Sequence, residues 1–230
     1  MNPLIIAIFA VAAFAISAWF TRQFCSPGSV VYILDQPNER SLHDRPVPRG
    51  GGVAILIAVI VCGATQAFFS PDRDLIVVAS GMLVVAIVSF LDDRYSVPPL
   101  YRLVAHAAAA AVMLYGGFFL QKFEIPGMSW HWPYAVGAVF SGLFTVWMIN
   151  LYNFMDGMDG FAGGMAMFGF GVFAVMGWMV GHDAFFFTSL IIAAASAGFL
   201  IFNFPPARIF MGDIGSSTLG LLAATLSLWG

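Results

Sequence analysis

Residues 75–91 read LIVVASGMLVVAIVSFL, an uncharged run that turns at once into Asp92-Asp93-Arg94. Such a run is about the minimum that crosses the hydrocarbon core of a bilayer as a helix. Its neighbours repeat the pattern. Outward from it, comparable apolar runs occupy 3–20, 51–69, 103–120, 133–151, 161–180 and 184–202, and a shorter one begins at 218. Hydrocarbon offers no partner to backbone N–H and C=O groups, so each run is expected to be an α-helix. The expected fold class is therefore all-α: a polytopic transmembrane helical bundle of about eight spans, one integral membrane domain over 1–230. The eighth run holds only about 13 residues, short of a span, so the sequence is expected to be C-terminally incomplete.

Composition agrees with a lipid bilayer as the solvent. The 230 residues are 60% hydrophobic and 9% charged, with a mean hydropathy of +0.90, whereas soluble domains carry about a quarter charged residues. A net charge of -3 without any basic run excludes a nucleic-acid binder. Cys25 and Cys62 lie at or within apolar runs and make neither a disulfide framework nor a CxxC site. No Lys or Arg precedes the first run, so it is expected to be a retained span rather than a cleaved signal.

Helical spans joined by short connections alternate between the two membrane faces. The loops at 34–50, 92–102, 153–160 and 203–217 then share one face. That face carries Arg40, Arg45, Arg49, Arg94, Arg102 and Arg208, with Arg22 just past the first span; the other carries only Arg73 and Lys122. The positive-inside rule places the first set in the cytoplasm and the N-terminus outside.

Most of the acids lie in these same loops. Asp92 and Asp93 follow a helix C-terminus, where negative charge opposes the macrodipole. Adjacent helical positions point about 100° apart, so the two carboxylates can serve different partners, such as a metal and a proton. The competing reading is a water-facing helix end neutralised by Arg94. In the stretch Asn150-x-x-Asn153-x-x-Asp156-Gly157-x-Asp159-Gly160 a polar residue recurs at every third position. On an unbroken helix that spacing sweeps around the cylinder, so the helix is expected to break at Gly157 and Gly160, gathering carboxylates and amides into a compact nest. Its oxygen-rich composition suits Mg²⁺, which takes one or two carboxylates plus substrate phosphates; a plain glycine-rich turn is the competitor.

The stretch Asn203-Phe-Pro-Pro206-Ala-Arg208-Ile-Phe210-Met-Gly212-Asp213-Ile-Gly215-Ser216-Ser217 starts with a proline pair that ends the preceding span. Asp213, Ser216 and Ser217 are equally good N-caps for the last run, and a helix N-terminus also favours phosphate. The first loop combines His43, Arg45 and Arg49 with Gly50-Gly51-Gly52. Arginine forks and free glycine N–H groups could hold a phosphate, or the arginines could simply anchor topology against headgroups. His106, His131 and His182 form no HxxE or HExxH pattern, and no zinc site is expected.

Taken together, the motifs His43-Asp-Arg-Pro-Val-Pro-Arg49-Gly-Gly-Gly52, Asp92-Asp93-Arg94, Asn150 to Gly160, and Phe210-Met-Gly-Asp213-x-Gly-Ser216 resemble, in collinear order, the polyprenyl-phosphate N-acetylhexosamine-1-phosphate transferases. That superfamily includes the phospho-N-acetylmuramoyl-pentapeptide transferases and the undecaprenyl-phosphate N-acetylglucosamine-1-phosphate transferases. The resemblance implies a phosphotransferase of the bacterial inner membrane with its active site facing the cytoplasm. It would move a sugar 1-phosphate, of N-acetylhexosamine type, from a UDP-sugar to undecaprenyl phosphate, releasing UMP and initiating cell-surface polysaccharide synthesis. It also implies Mg²⁺, with Mn²⁺ as a substitute, and leaves a homodimer open.

Carried over by position, Asp92 and Asp93 would be catalytic, with Asp92 the base that assists direct attack by the lipid phosphate. Asp213 and Asp156 would serve the metal; Asn150, Asn153, Asp159, Asn203 and Phe210 the nucleotide and sugar; Arg45, Arg49 and His43 the lipid phosphate. Family members carry further spans and a histidine-rich loop beyond the region matched here. The rival class is a transporter or cation channel using the acidic loops, for which acids near the bilayer midplane would be expected; here the acids sit at span ends or in loops.

Overall fold

A computed structural model describes residues 2–29, 31–36, 46–125 and 127–229. His43 and Arg45 lie outside these described residues. The described residues form eight helices: α1 (Pro3–Phe24), α2 (Gly51–Phe69), α3 (Arg73–Tyr95), α4 (Pro99–Gly116), α5 (Tyr134–Met155), α6 (Phe161–Val180), α7 (Asp183–Asn203) and α8 (Asp213–Ser227). Each coincides with one of the apolar runs, and the chain is an all-α, multi-pass membrane protein. Six are long and apolar enough to cross a membrane: α1, α2, α3, α5, α6 and α7. The count of about eight spans is thus approximate. At 1.5 Å per residue, the 23 residues of α3 reach about 35 Å, beyond the roughly 30 Å of hydrocarbon, whereas the 15 of α8 reach only about 22 Å.

Helix ends differ from the sequence expectation in a consistent way. Helix α3 continues through Asp92 and Asp93, so the acid pair sits in a last turn rather than a loop. Helix α5 likewise runs through Asn150 and Asn153 and ends at Met155. Helix α8 begins at Asp213, five residues before its apolar run. Charged and amide side chains stop a hydrophobic run but not a helix, because the backbone ladder persists wherever a polar side chain can turn to water or to a partner. The break after α5 is as expected: Gly160 has φ +71° and stands as the N-cap of α6.

Two short antiparallel pairs were not anticipated. Strands β1 (Ile33–Asp35) and β2 (Val47–Arg49) pair within the first loop, and β3 (Lys122–Ile125) and β4 (Met128–His131) pair between α4 and α5. Strands of three or four residues are too short to show an alternating pattern.

Helices α1, α2 and α6 pack on α7, while α3, α4 and α5 gather around α8. Helix α8 is buried from Ile214 to Leu226. Its small residues let neighbouring backbones approach closely, and in a bilayer such packing, rather than a hydrophobic drive, holds helices together. A close approach joins α2 to α8: a Cβ on Gly52 would overlap the Cα of Gly215. Here lies the reason for the glycine triplet. The Gly50 and Gly51 N–H groups donate to the Phe210 carbonyl, and that of Gly52 to the Met211 carbonyl at 2.8 Å. These N–H groups are consumed by backbone, which corrects the expectation that they cradle a phosphate.

Candidate active site

Strand β2 and the connections after α3, α5 and α7 meet at one end of the bundle. Phe210 N–H donates to the Pro48 carbonyl at 2.8 Å, tying β2 to the chain entering α8. Asn203, 2% exposed, clamps two motifs: its Oδ1 accepts the Gly160 N–H and its Nδ2 donates to the Ile209 carbonyl, both at 3.0 Å. Asp159 accepts the Ala207 N–H at 2.8 Å. Asn203 and Asp159, expected to touch nucleotide, are thus engaged in joining the α5–α6 turn to the α7–α8 connection. Phe210 is half-buried, its backbone anchored at both N–H and C=O.

Two carboxylates hold the start of α8. Gly212, with φ +77°, is the N-cap residue and has no side chain to accept the first N–H groups. Asp93 supplies the cap from α3, its Oδ1 accepting the Asp213 N–H and its Oδ2 the Ile214 N–H, each at 3.0 Å. Asp156 accepts the Gly212 N–H at 3.0 Å. Negative charge at a helix N-terminus meets the positive end of the macrodipole. Arg49 secures the arrangement by donating to the Asp93 carbonyl at 2.6 Å, its Nε 3.8 Å from Asp93 Oδ1. The side chain expected to hold a lipid phosphate is turned toward the end of α3.

Asp92 points elsewhere, as the angular offset between neighbouring helical positions requires. Its Oδ1 accepts the Val97 N–H at 2.7 Å, and its Oδ2 lies 2.7 Å from Arg102 Nη1. The same Arg102 nitrogen is 3.5 Å from Asp213 Oδ2. Asp92, Arg102 and Asp213 line a cleft of about 460 Å³ between α3, α4, α5 and α8, together with Asn150, Asn153 and Ser217. Asn153 Nδ2 approaches the Ser217 hydroxyl at 3.4 Å. Asn150 donates to the Val146 carbonyl and remains exposed on the cleft wall.

Burial dominates the acid–base balance. It pushes Asp213 up to about 7, helped by a side-chain hydrogen bond with Asp92 and by the Asp93 charge. Burial also lifts Asp156 well above the ordinary carboxylate range, against the opposing Gly212 N–H, with the Asp213 and Asp93 charges adding to the rise.

Among the described residues, no three His, Cys, Asp or Glu side chains form a ready metal cage. The donor set still fits Mg²⁺, which characteristically takes one or two carboxylates and completes its shell with water and substrate phosphate. Asp213, with its side chain 27% exposed beside Asp92, is the carboxylate open to the cleft. Asp156 is committed to backbone one residue away.

Two cleft residues escaped the sequence reading. Arg102 was counted only for topology and His106 was set aside. Both lie on α4 four residues apart, hence on one face, and polar residues at that spacing in an apolar helix were the available signal.

Residues 75–230 match the family model described as glycosyl transferase family 4. The chain is 32% identical over 200 residues to a probable undecaprenyl-phosphate N-acetylglucosaminyl 1-phosphate transferase of Bacillus subtilis, covering 86% of this chain and 55% of that protein. It is 33% identical over 221 residues to a decaprenyl-phosphate N-acetylglucosaminephosphotransferase of Mycolicibacterium smegmatis, covering 87% and 53%. An Escherichia coli K12 undecaprenyl-phosphate alpha-N-acetylglucosaminyl 1-phosphate transferase is 26% identical over 226 residues, covering 96% and 61%. The chain spans between 53% and 61% of the length of these relatives.

Proposed function

The chain belongs to glycosyl transferase family 4, and from that membership we propose that it transfers N-acetylglucosamine 1-phosphate from UDP-N-acetylglucosamine to undecaprenyl phosphate. The observation that carries the reading is the cleft at one end of the bundle where Asp92, Arg102 and Asp213 converge. An amphiphilic acceptor can reach such a place laterally, and a water-soluble nucleotide from the adjoining aqueous side. The activities of the Bacillus subtilis and Mycolicibacterium smegmatis relatives support both the acceptor class and the sugar.

In the proposed reaction an oxygen of the lipid phosphate attacks the β-phosphorus of the UDP-sugar. The bond from that phosphorus to the bridging oxygen breaks, and UMP leaves. Asp92 takes the proton from the attacking phosphate, and Arg102 orients Asp92 through the 2.7 Å contact. Bound at Asp213, Mg²⁺ (or Mn²⁺) would neutralise phosphate charge in the transition state. Asn150 and Asn153 offer both donors and acceptors along the wall for sugar or base. Asp93 and Asp156 act through the backbone of Gly212, Asp213 and Ile214, keeping Asp213 aimed at the cleft.

The basic asymmetry of the loops supports a cytoplasmic motif end with the N-terminus outside, in a bacterial inner membrane. A transporter or channel finds no support, since the buried acids collect at one end of the bundle. The test is product release: with undecaprenyl phosphate, UDP-N-acetylglucosamine and Mg²⁺, the protein in liposomes should release UMP. Release of UDP instead would mean simple glycosyl transfer and would refute the reading.

A further inference from the structure

Helix α4 carries Arg102 and, one turn farther into the bundle, His106, and both line the cleft. His106 is 6% exposed, and its Nδ1 is buried without a hydrogen-bond partner. Buried polar atoms in folded proteins are almost always paired, so an unpaired ring nitrogen on a residue that lines a cleft marks a place where a partner arrives. The neighbouring guanidinium is already shared between Asp92 and Asp213.

We propose that His106 is a phosphate-binding residue, its ring N–H donating to a non-bridging phosphate oxygen of a substrate. The proposal rests on the transferase reading and deepens it. A ligand that touches both His106 and Arg102 must present acceptors, because guanidinium has donors only. Ionised phosphate oxygens accept hydrogen bonds and carry charge, which strengthens each bond. Sugar hydroxyls and uracil mix donors with acceptors and match Asn150, Asn153 and Ser217 on the opposite wall. The phosphate has two sources, the diphosphate of the nucleotide-sugar and the monoester of the lipid.

The experiment compares His106→Phe, which keeps the ring and removes both nitrogens, with His106→Gln, which restores a donor. Full-length chains in liposomes are assayed for the KM of UDP-N-acetylglucosamine and of undecaprenyl phosphate, and for melting temperature in detergent. His106→Phe should raise one KM by roughly 10-fold or more, the loss of a hydrogen bond to a charged group. The KM that rises identifies which phosphate is held. His106→Gln should return it to within a few fold of wild type. The melting temperature of His106→Phe should hold or rise, since an unpartnered polar atom is removed.

Both KM values unchanged in His106→Phe, a loss confined to kcat, or a lowered melting temperature in both variants would overturn the proposal. If the wild-type chain transfers nothing, the transferase reading fails, and the His106 proposal is judged by binding alone. Calorimetry with farnesyl phosphate and with UDP-N-acetylglucosamine should show weaker binding of one probe to His106→Phe, and equal binding of both would overturn it.

Discussion

Asp93 caps the helix that Asp213 begins, its Oδ1 accepting the Asp213 N–H at 3.0 Å across 120 residues of sequence. The adjacent Asp92 faces the cleft instead. The pair of aspartates therefore divides its labour: one positions the carboxylate that opens on the cleft, the other stands beside it.

That division separates two variants that sequence alone would treat alike. Asp93→Asn keeps the size of the side chain but removes the charge from the α8 N-terminus and one of two acceptors. It should lower stability by about 1–2 kcal/mol, in the range of a lost helix cap. Asp213→Asn should abolish transfer yet raise the melting temperature of metal-free protein at pH 8, because a partly desolvated charge beside Asp92 and Asp93 is removed. Thermal unfolding of both in detergent reads the contrast.

Stability of the metal-free protein should fall as pH rises. Asp213, at about 7, and Asp156, well above the ordinary range, hold protons more tightly folded than unfolded. Folding then takes up protons between the normal carboxylate pKa near 4 and about 7, so stability is greatest below that window and is lost through it. The melting temperature in a chelator should be higher at pH 5 than at pH 8. Mg²⁺ should raise the pH 8 value, and Asp213→Asn should flatten the dependence; a melting temperature that climbs from pH 5 to pH 8 in chelator would contradict the assignment.

Asn203→Ala strands the Gly160 N–H and the Ile209 carbonyl. The expected cost is about 1–3 kcal/mol for each group left unpaired in the interior. Because Asn203 is engaged by backbone on both sides, the melting temperature should fall while the KM for nucleotide in the surviving folded protein stays near wild type. A large KM change without loss of stability would return Asn203 to the nucleotide site.

Gly52→Ala places a methyl group against the backbone of Gly215. Overpacking of this kind costs about 1–3 kcal/mol, and here neither backbone can swing aside as a side chain would. A melting temperature equal to wild type would show that the α2–α8 contact has room for a methyl group.

The helices were legible because lipid enforces them: any long uncharged run must satisfy its own backbone, so the apolar stretches announced α1 through α7 almost directly. Their ends were not, since Asp92, Asn153 and Asp213 interrupt hydropathy without interrupting the backbone ladder. The acids of the site were legible from their motifs, and the roles within it less so. Nothing in the string distinguishes Asn203, whose amide joins two backbones, from Asn150 on the cleft wall. Arg102 and His106 were hidden for the converse reason. They lie outside the Asp- and Gly-rich motifs and reach the site because α4 packs beside α3 and α5.

The most direct measurement follows the β-phosphorus. Wild-type protein in liposomes with undecaprenyl phosphate, Mg²⁺ and UDP-N-acetylglucosamine labelled with ³²P in the β-phosphate should move the label into the lipid fraction in step with UMP release, and Asp92→Asn and Asp213→Asn should not. Label that stays in the aqueous phase as UDP, or that reaches lipid equally in both variants, would contradict sugar 1-phosphate transfer at this cleft.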